Sequence, residues 1–190
     1  MRDPGWRNSN NAAASARNSS LRVLYLTSDK VGSDGASKLA AALALSKTAG
    51  IEALFLGSNN TGDLGCGKIA RGLESHSSLE KLYLSYNDNL GAASLAAALP
   101  SNATLRVLSL FRNNIGDDGA APNLAAALPS SSLKELLHLY KNKIGDDGAS
   151  KLLAASFDNL EKIDLSFNPI TAYARSKLRE MAAEKRTLYI

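Results

Sequence analysis

Leu105-Arg-Val-Leu-Ser-Leu-Phe-Arg-Asn-Asn-Ile-Gly-Asp-Asp-Gly-Ala120 decides how the rest of the chain is read, because its spacing of apolar residues, asparagine and Gly-Asp-Asp-Gly-Ala returns along most of the sequence. Written as a template it is LxxLxLxxNxIGDDGA followed by a helical LAAAL. Such self-similarity decides the fold before any local propensity does, since each unit can bury its apolar face only against its neighbours.

Working outward, strand halves begin at Leu21, Ile51, Leu79, Leu105, Leu133 and Leu160. Alternation of period two turns their fourth and sixth positions inward. Strands this short need a crossover to stack in parallel, and helix halves supply it: Leu39 and Leu43, Ile69 and Leu73, Leu95 and Leu99, and Leu124 and Leu128 lie four apart, on one helical face. Alanines between them permit close helix packing and favour helix. A turn residue follows each strand: Asp29, then Asn59, Asn87, Asn113, Asn142 and Asn168. An amide both donates and accepts, so stacked asparagines can satisfy buried peptide groups that have no sheet partner. Asp29 only accepts, which suits an end position.

The repeat has irregularities. The loop after Asn87 is shorter than that after Asn142, one extra residue stands around Ala121, Pro122 and Asn123, and another between Leu133 and Leu137. The last of these predicts a bulge or a shifted strand start. Residues 1–10 read as a disordered tail or an expression remnant, and 11–20 as a degenerate N-terminal capping half-repeat, with a fragment of a longer array as the alternative. Repeats span 21–170. Residues 171–190 read as a C-terminal cap: Pro169 and Thr171 replace the glycine turn, a charged helix follows, and Thr187-Leu-Tyr-Ile190 offers a short last strand.

Composition narrows the setting. The 190 residues are 45% hydrophobic and 21% charged, with a formal charge of +4, which bears on solubility more than on identity. A lone cysteine, Cys66, excludes an internal disulfide and favours the cytoplasm. No run approaches the roughly 18 apolar residues of a membrane span. The N-terminus lacks the apolar stretch of a secretory signal. Of the sequons at Asn18, Asn59 and Asn102, the one at Asn59 falls on a turn asparagine that the fold should bury.

Motifs for catalysis yield to structural readings. Gly62-Asp-Leu-Gly-Cys-Gly-Lys68 fills the first seven positions of a phosphate loop, but Ile69 replaces the Ser or Thr that would hold magnesium, and the stretch aligns with Gly145-Asp-Asp-Gly-Ala-Ser-Lys151. Asp117-Asp118 and Asp146-Asp147 are expected to cap the helices they precede rather than hold calcium. Cys66 falls on a buried alanine column. Neither His76 nor His138 has a nucleophile or acid at a recognisable spacing. The expectation is a non-enzyme with no catalytic residue, cofactor or metal.

The candidate binding residues are aromatic. Tyr25, Phe55, Tyr83, Ser109, His138 and Asp164 take the outward position between the core leucines, and Tyr86, Phe111, Tyr140 and Phe167 continue the set just beyond the strands. Parallel strands lie about 4.8 Å apart, so Tyr25, Phe55 and Tyr83 should stack as a ladder. With Arg112 and Lys141 beside the second group, the composition is that of an interface.

The LxxLxLxxN pattern with its helical LAAAL resembles the leucine-rich repeat of the ribonuclease-inhibitor type, and also the repeat regions of intracellular NOD-like immune receptors. The resemblance covers 21–170. It implies an α/β solenoid or horseshoe, with a parallel sheet on the concave face, helices on the convex face, and protein binding without catalysis. The expected partner is a protein of unknown identity on the concave face, with no nucleic acid, since Glu180 and Glu184 interleave the basic C-terminal helix, and no membrane; the oligomeric state is unknown, with a monomer as the default. Ran-activator-like regulation of a small GTPase, or a fragment of a larger recognition receptor, are the alternatives.

Overall fold

The computed structural model of the chain describes residues 20–45, 50–87, 91–118, 120–156, 160–182 and 188–190. Residues 1–19, on which the tail and most of the N-terminal cap were placed, lie outside these, as do the short loop at 88–90 and residues 183–187.

Seven parallel strands form one open sheet in chain order: β1 (Val23–Tyr25), β2 (Ala53–Phe55), β3 (Lys81–Tyr83), β4 (Val107–Ser109), β5 (Leu136–His138), β6 (Ile163–Asp164) and β7 (Leu188–Tyr189). Helices make the crossovers: α1 (Gly32–Leu45), α2 (Gly62–Ser75), α3 (Ala92–Ala98), α4 (Ala120–Ala127) and α5 (Asp146–Ser156), with α6 (Ala172–Ala182) before β7. The chain is thus an α/β leucine-rich repeat solenoid. Leu99 and Leu128, expected on α-helix, each open a short 3-10 turn with a proline next to them, where an α-helix cannot continue.

Register follows the leucines. Leu24, Leu54, Leu82, Leu108 and Leu137 align as one inward column continued by Ile163 and Leu188. The extra residue before β5 is absorbed as a shifted start: Leu136 pairs with Val107 on the outward side, and Leu137 and Leu139 take the buried positions. The insertion at the α4 entry resolves likewise. Ala121, fully buried, joins the column of Ala36, Cys66, Ala92 and Ala149, leaving Ala120 as the extra residue.

The phosphate-loop look-alike is helix. Gly62 begins α2, Ile69 is fully buried, and a Cβ at Gly65 would stand 2.9 Å from the Ala36 Cβ. Gly65 therefore serves close packing of α2 on α1, and Gly62 the left-handed turn, at φ 60°, that enters the helix.

Asparagines lock the turns. Asn142 Oδ1 accepts from the N–H groups of Asn113 (2.9 Å) and Ile115 (3.1 Å), while its Nδ2 donates to Leu110 O at 3.0 Å. Asn59, Asn87, Asn113 and Asn168 likewise bond the preceding turn through both ends of the amide. Every such bond runs toward the N-terminus, so Asp29 receives the last of them through its own N–H, 2.9 Å from Asn59 Oδ1.

A second ladder on the helix side was not legible. His76 Nδ1 accepts from the N–H groups of Ser78 (3.3 Å) and Leu79 (3.1 Å), and Asn102 Oδ1 does the same for Thr104 and Leu105. Asn102 Nδ2 donates back to Leu73 O and His76 O. The available signal was alignment: both residues stand three before the first leucine of a strand half. This bonding puts the His76 proton on Nε2, and burial lowers the pKa of the ring.

Candidate binding face

The strands turn one side chain in two away from the helices, and the register places Tyr25, Phe55, Tyr83, Ser109, His138, Asp164 and Tyr189 in one row across that open face. Tyr25 and Phe55 stack with ring centroids 4.3 Å apart at 17°, and Phe55 and Tyr83 at 4.3 Å and 4°. Flat stacking at strand spacing leaves ring edges toward solvent, and Tyr25, at the free end, is 67% exposed.

At Ser109 the row changes character. Ser85 Oγ lies 3.1 Å from Ser109 Oγ, Ser109 Oγ 3.3 Å from His138 Nδ1, and His138 Nε2 3.3 Å from Asp164 Oδ2. The sequence places Ser109, His138 and Asp164 in one outward row while offering no nucleophile or acid at a recognisable spacing from His138; the stacking of adjacent strands brings both within reach of its ring. Ser109 is only 2% exposed. Burial lowers the His138 pKa, Asp164 opposes that shift by charge and hydrogen bonding, and Lys162 adds to it.

The second aromatic group occupies two columns. Phe111 and Tyr140 stand two residues before the turn asparagine; Tyr86 and Phe167 stand one before it, where Arg112 and Lys141 also fall. The rings still meet in sequence: Tyr86 to Phe111 at 4.8 Å, Phe111 to Tyr140 at 5.0 Å, and Tyr140 to Phe167 at 4.8 Å. His138 joins from below, stacked on Phe111 at 5.6 Å. The Arg112 guanidinium lies 4.9 Å from the Tyr86 ring centroid and donates to its hydroxyl at 3.2 Å. Lys141 is exposed at the same rim. Every predicted binding residue thus lies on or beside one sheet face, in two ring groups separated by Ser109.

The column before the asparagine is left-handed in each repeat. Ser28, Ser58, Tyr86, Arg112, Lys141 and Phe167 have φ of 64°, 57°, 57°, 59°, 55° and 58°. Glycine or asparagine would adopt this conformation most cheaply, yet four repeats place long or aromatic side chains there.

The acidic pairs act differently from expectation. The first aspartate of each serves the next repeat: Asp117 Oδ1 accepts from the N–H groups of Gly145 (2.9 Å) and Gly148 (3.2 Å), and Asp146 accepts from Thr171 N–H and Oγ1–H, both at 2.8 Å. These are lateral ties between repeats. Asp147 pairs with Lys151 on its own helix. The Cys66 thiol is fully buried, and its pKa is pushed up by that burial and secondarily by Asp63. Among the described residues no group of three or more His, Cys, Asp and Glu converges where a metal would sit, and no helix is long and apolar enough to cross a membrane.

A search of curated proteins finds no match to the chain. A family model described as Leucine Rich repeat matches residues 17–40, 101–122 and 131–153. Each match takes in the start of a strand half, and the last two contain the turn asparagines Asn113 and Asn142. Together with the asparagine ladder and the parallel register, these matches support a chain of leucine-rich repeats folded as an α/β solenoid.

Proposed function

We propose that the open, concave face of the sheet binds a protein partner without catalysis, through Tyr25, Phe55 and Tyr83 and through the row from Tyr86 to Phe167. Leucine-rich repeats generally mediate protein–protein interaction. The observation that carries the reading to this face is the continuous aromatic row Tyr86–Phe111–Tyr140–Phe167, whose outer members are 42% and 69% exposed. Rings gathered on a surface give up apolar contact with water when a partner covers them, which favours association. The ribonuclease-inhibitor type is supported by the helical crossovers α1 to α5, and the reading of 171–190 as a cap by α6 and the short strand β7. A cytoplasmic location fits the buried amides of Asn59 and Asn102, whose bonds a glycan would break.

Affinity capture with the full chain, followed by mass spectrometry, tests the reading. Tyr83→Ala with Phe111→Ala should abolish capture and leave the circular dichroism spectrum unchanged; retained capture counts against it. A small GTPase as the captured protein would favour the regulator alternative, and a turnover assay with that GTPase would decide it.

A further inference from the structure

Resting on that protein-binding reading, we propose that the half of the face from Tyr86 to Phe167 takes an extended acidic segment carrying aromatic side chains. The charges around the rings point to this partner. In the outward strand positions and the two columns before the turn asparagines stand Lys81, Arg112, Lys141 and Lys162, against the carboxylate of Asp164. Asp164 is already engaged by His138 Nε2 and by the Ser166 N–H at 2.9 Å. The strand-entry edge, across the sheet from Arg112 and Lys141, carries both signs: Glu52, Glu80, Glu135 and Glu161 stand there with Arg22, Arg106 and Lys134, and Arg22 pairs with Glu52.

The charge bias therefore lies at one end of the face: Arg112 and Lys141 make the exit rim basic, while the entry edge is mixed. An acidic segment is favoured along the exit rim. Its rings have partners to meet, because the edge-to-face contacts of Tyr86, Phe111 and Tyr140 leave ring surface between the two cations. The left-handed backbone that Arg112 and Lys141 share with the rest of their column sets where their stems leave the chain.

The test uses immobilised synthetic polymers and the full chain. A random Glu/Tyr copolymer should bind at least about tenfold more tightly than poly-Glu, a Lys/Tyr copolymer should not bind, and added salt should weaken the complex. Arg112→Glu with Lys141→Glu should weaken Glu/Tyr binding by more than about tenfold, with an unchanged circular dichroism spectrum. Arg106→Gln with Lys134→Gln, at a cleft of about 330 Å³ on the entry edge, should change it by less than about twofold. Equal binding of the Lys/Tyr copolymer, no effect of the double reversal, or a loss confined to the Arg106/Lys134 variant would each overturn the proposal. A cellular partner lost with Tyr83→Ala and Phe111→Ala but kept with Arg112→Glu and Lys141→Glu would leave the protein-binding reading standing and remove the acidic partner.

Discussion

The carboxylate of Asp117 reaches out of its own repeat to the N–H of Gly148 in the next one, at 3.2 Å, while also taking the Gly145 N–H. It satisfies free donors at the start of α5 and adds a helix-side tie between two units already joined through the sheet and the asparagine ladder. Asp117→Ala should cost about 1–2 kcal/mol in urea denaturation, and Asp117→Asn, which keeps an acceptor, less. A Cβ at Gly148 would collide with this carboxylate and stand 3.1 Å from both the Ala121 Cβ and the Ile144 Cγ2. Gly148→Ala should therefore destabilise the native protein but cost measurably less in the Asp117→Ala background, a coupling that a double-mutant cycle reads directly.

Asn113 tests the ladder. Its Oδ1 accepts the Asn87 N–H at 2.8 Å and its Nδ2 donates to Leu84 O at 3.0 Å, all of it buried. Asn113→Ala leaves the buried Asn87 N–H without its acceptor, while Leu84 O keeps its bond from Asn87 Nδ2 at 3.0 Å, so a loss of about 1–3 kcal/mol is expected. Asn113→Asp keeps acceptance but cannot donate, and it should not restore stability. Equal stability of all three proteins would mean the turns are held by the leucines alone.

Acid should loosen the fold through its two histidines. Burial lowers the pKa of His76, and of His138 despite Asp164, below the ordinary value of 6.5. The unfolded chain then takes up protons first as pH falls. The stability these rings contribute is complete above about pH 6.5 and is lost as pH drops through their folded values. His76→Asn places at that position the residue that Asn102 shows to be compatible with the same two backbone donors. Its unfolding free energy should fall less between pH 7 and pH 5 than that of the parent. An identical pH slope would show that the His76 ring is not held neutral.

Much of this architecture could be read from the chain because leucine, asparagine and glycine each answer to one local demand, repeated in register. Leu54, Leu82 and Leu108 must face inward, and Asn87 must bond turns, wherever the template recurs. The open face was legible for Tyr25, Phe55 and Tyr83, which occupy one template position. It was less so for Tyr86 and Phe167, because the left-handed turn carries a neighbouring template column up beside Phe111 and Tyr140. What sequence spacing hid was the bonding itself: Asp117 to Gly148 and Asn102 to Leu73 across repeats, and the hydrogen bond between Ser109 and His138, whose shared row was legible. These depend on which atoms the stacking brings within about 3 Å, and a repeat template records position without direction.

The Ser109–His138–Asp164 row has the members of a nucleophilic relay, and its chemistry can be tested outright. A serine attacks only if its oxygen can meet a substrate carbon while the imidazole takes its proton and donors receive the developing charge. Here Ser109 is buried beside Ser85, and the ring that would be its base is itself stacked on Phe111. The row instead reads as a hydrogen-bonded strut that spans β4, β5 and β6 and orients His138 within the aromatic group. A fluorophosphonate probe should leave Ser109 unmodified in the native protein. Ser109→Ala should perturb the His138 imidazole resonances by NMR and lower its affinity for a captured partner, since the ring loses one of its two anchors. Labelling at Ser109 that disappears in His138→Gln would make the residue a nucleophile and sink the strut.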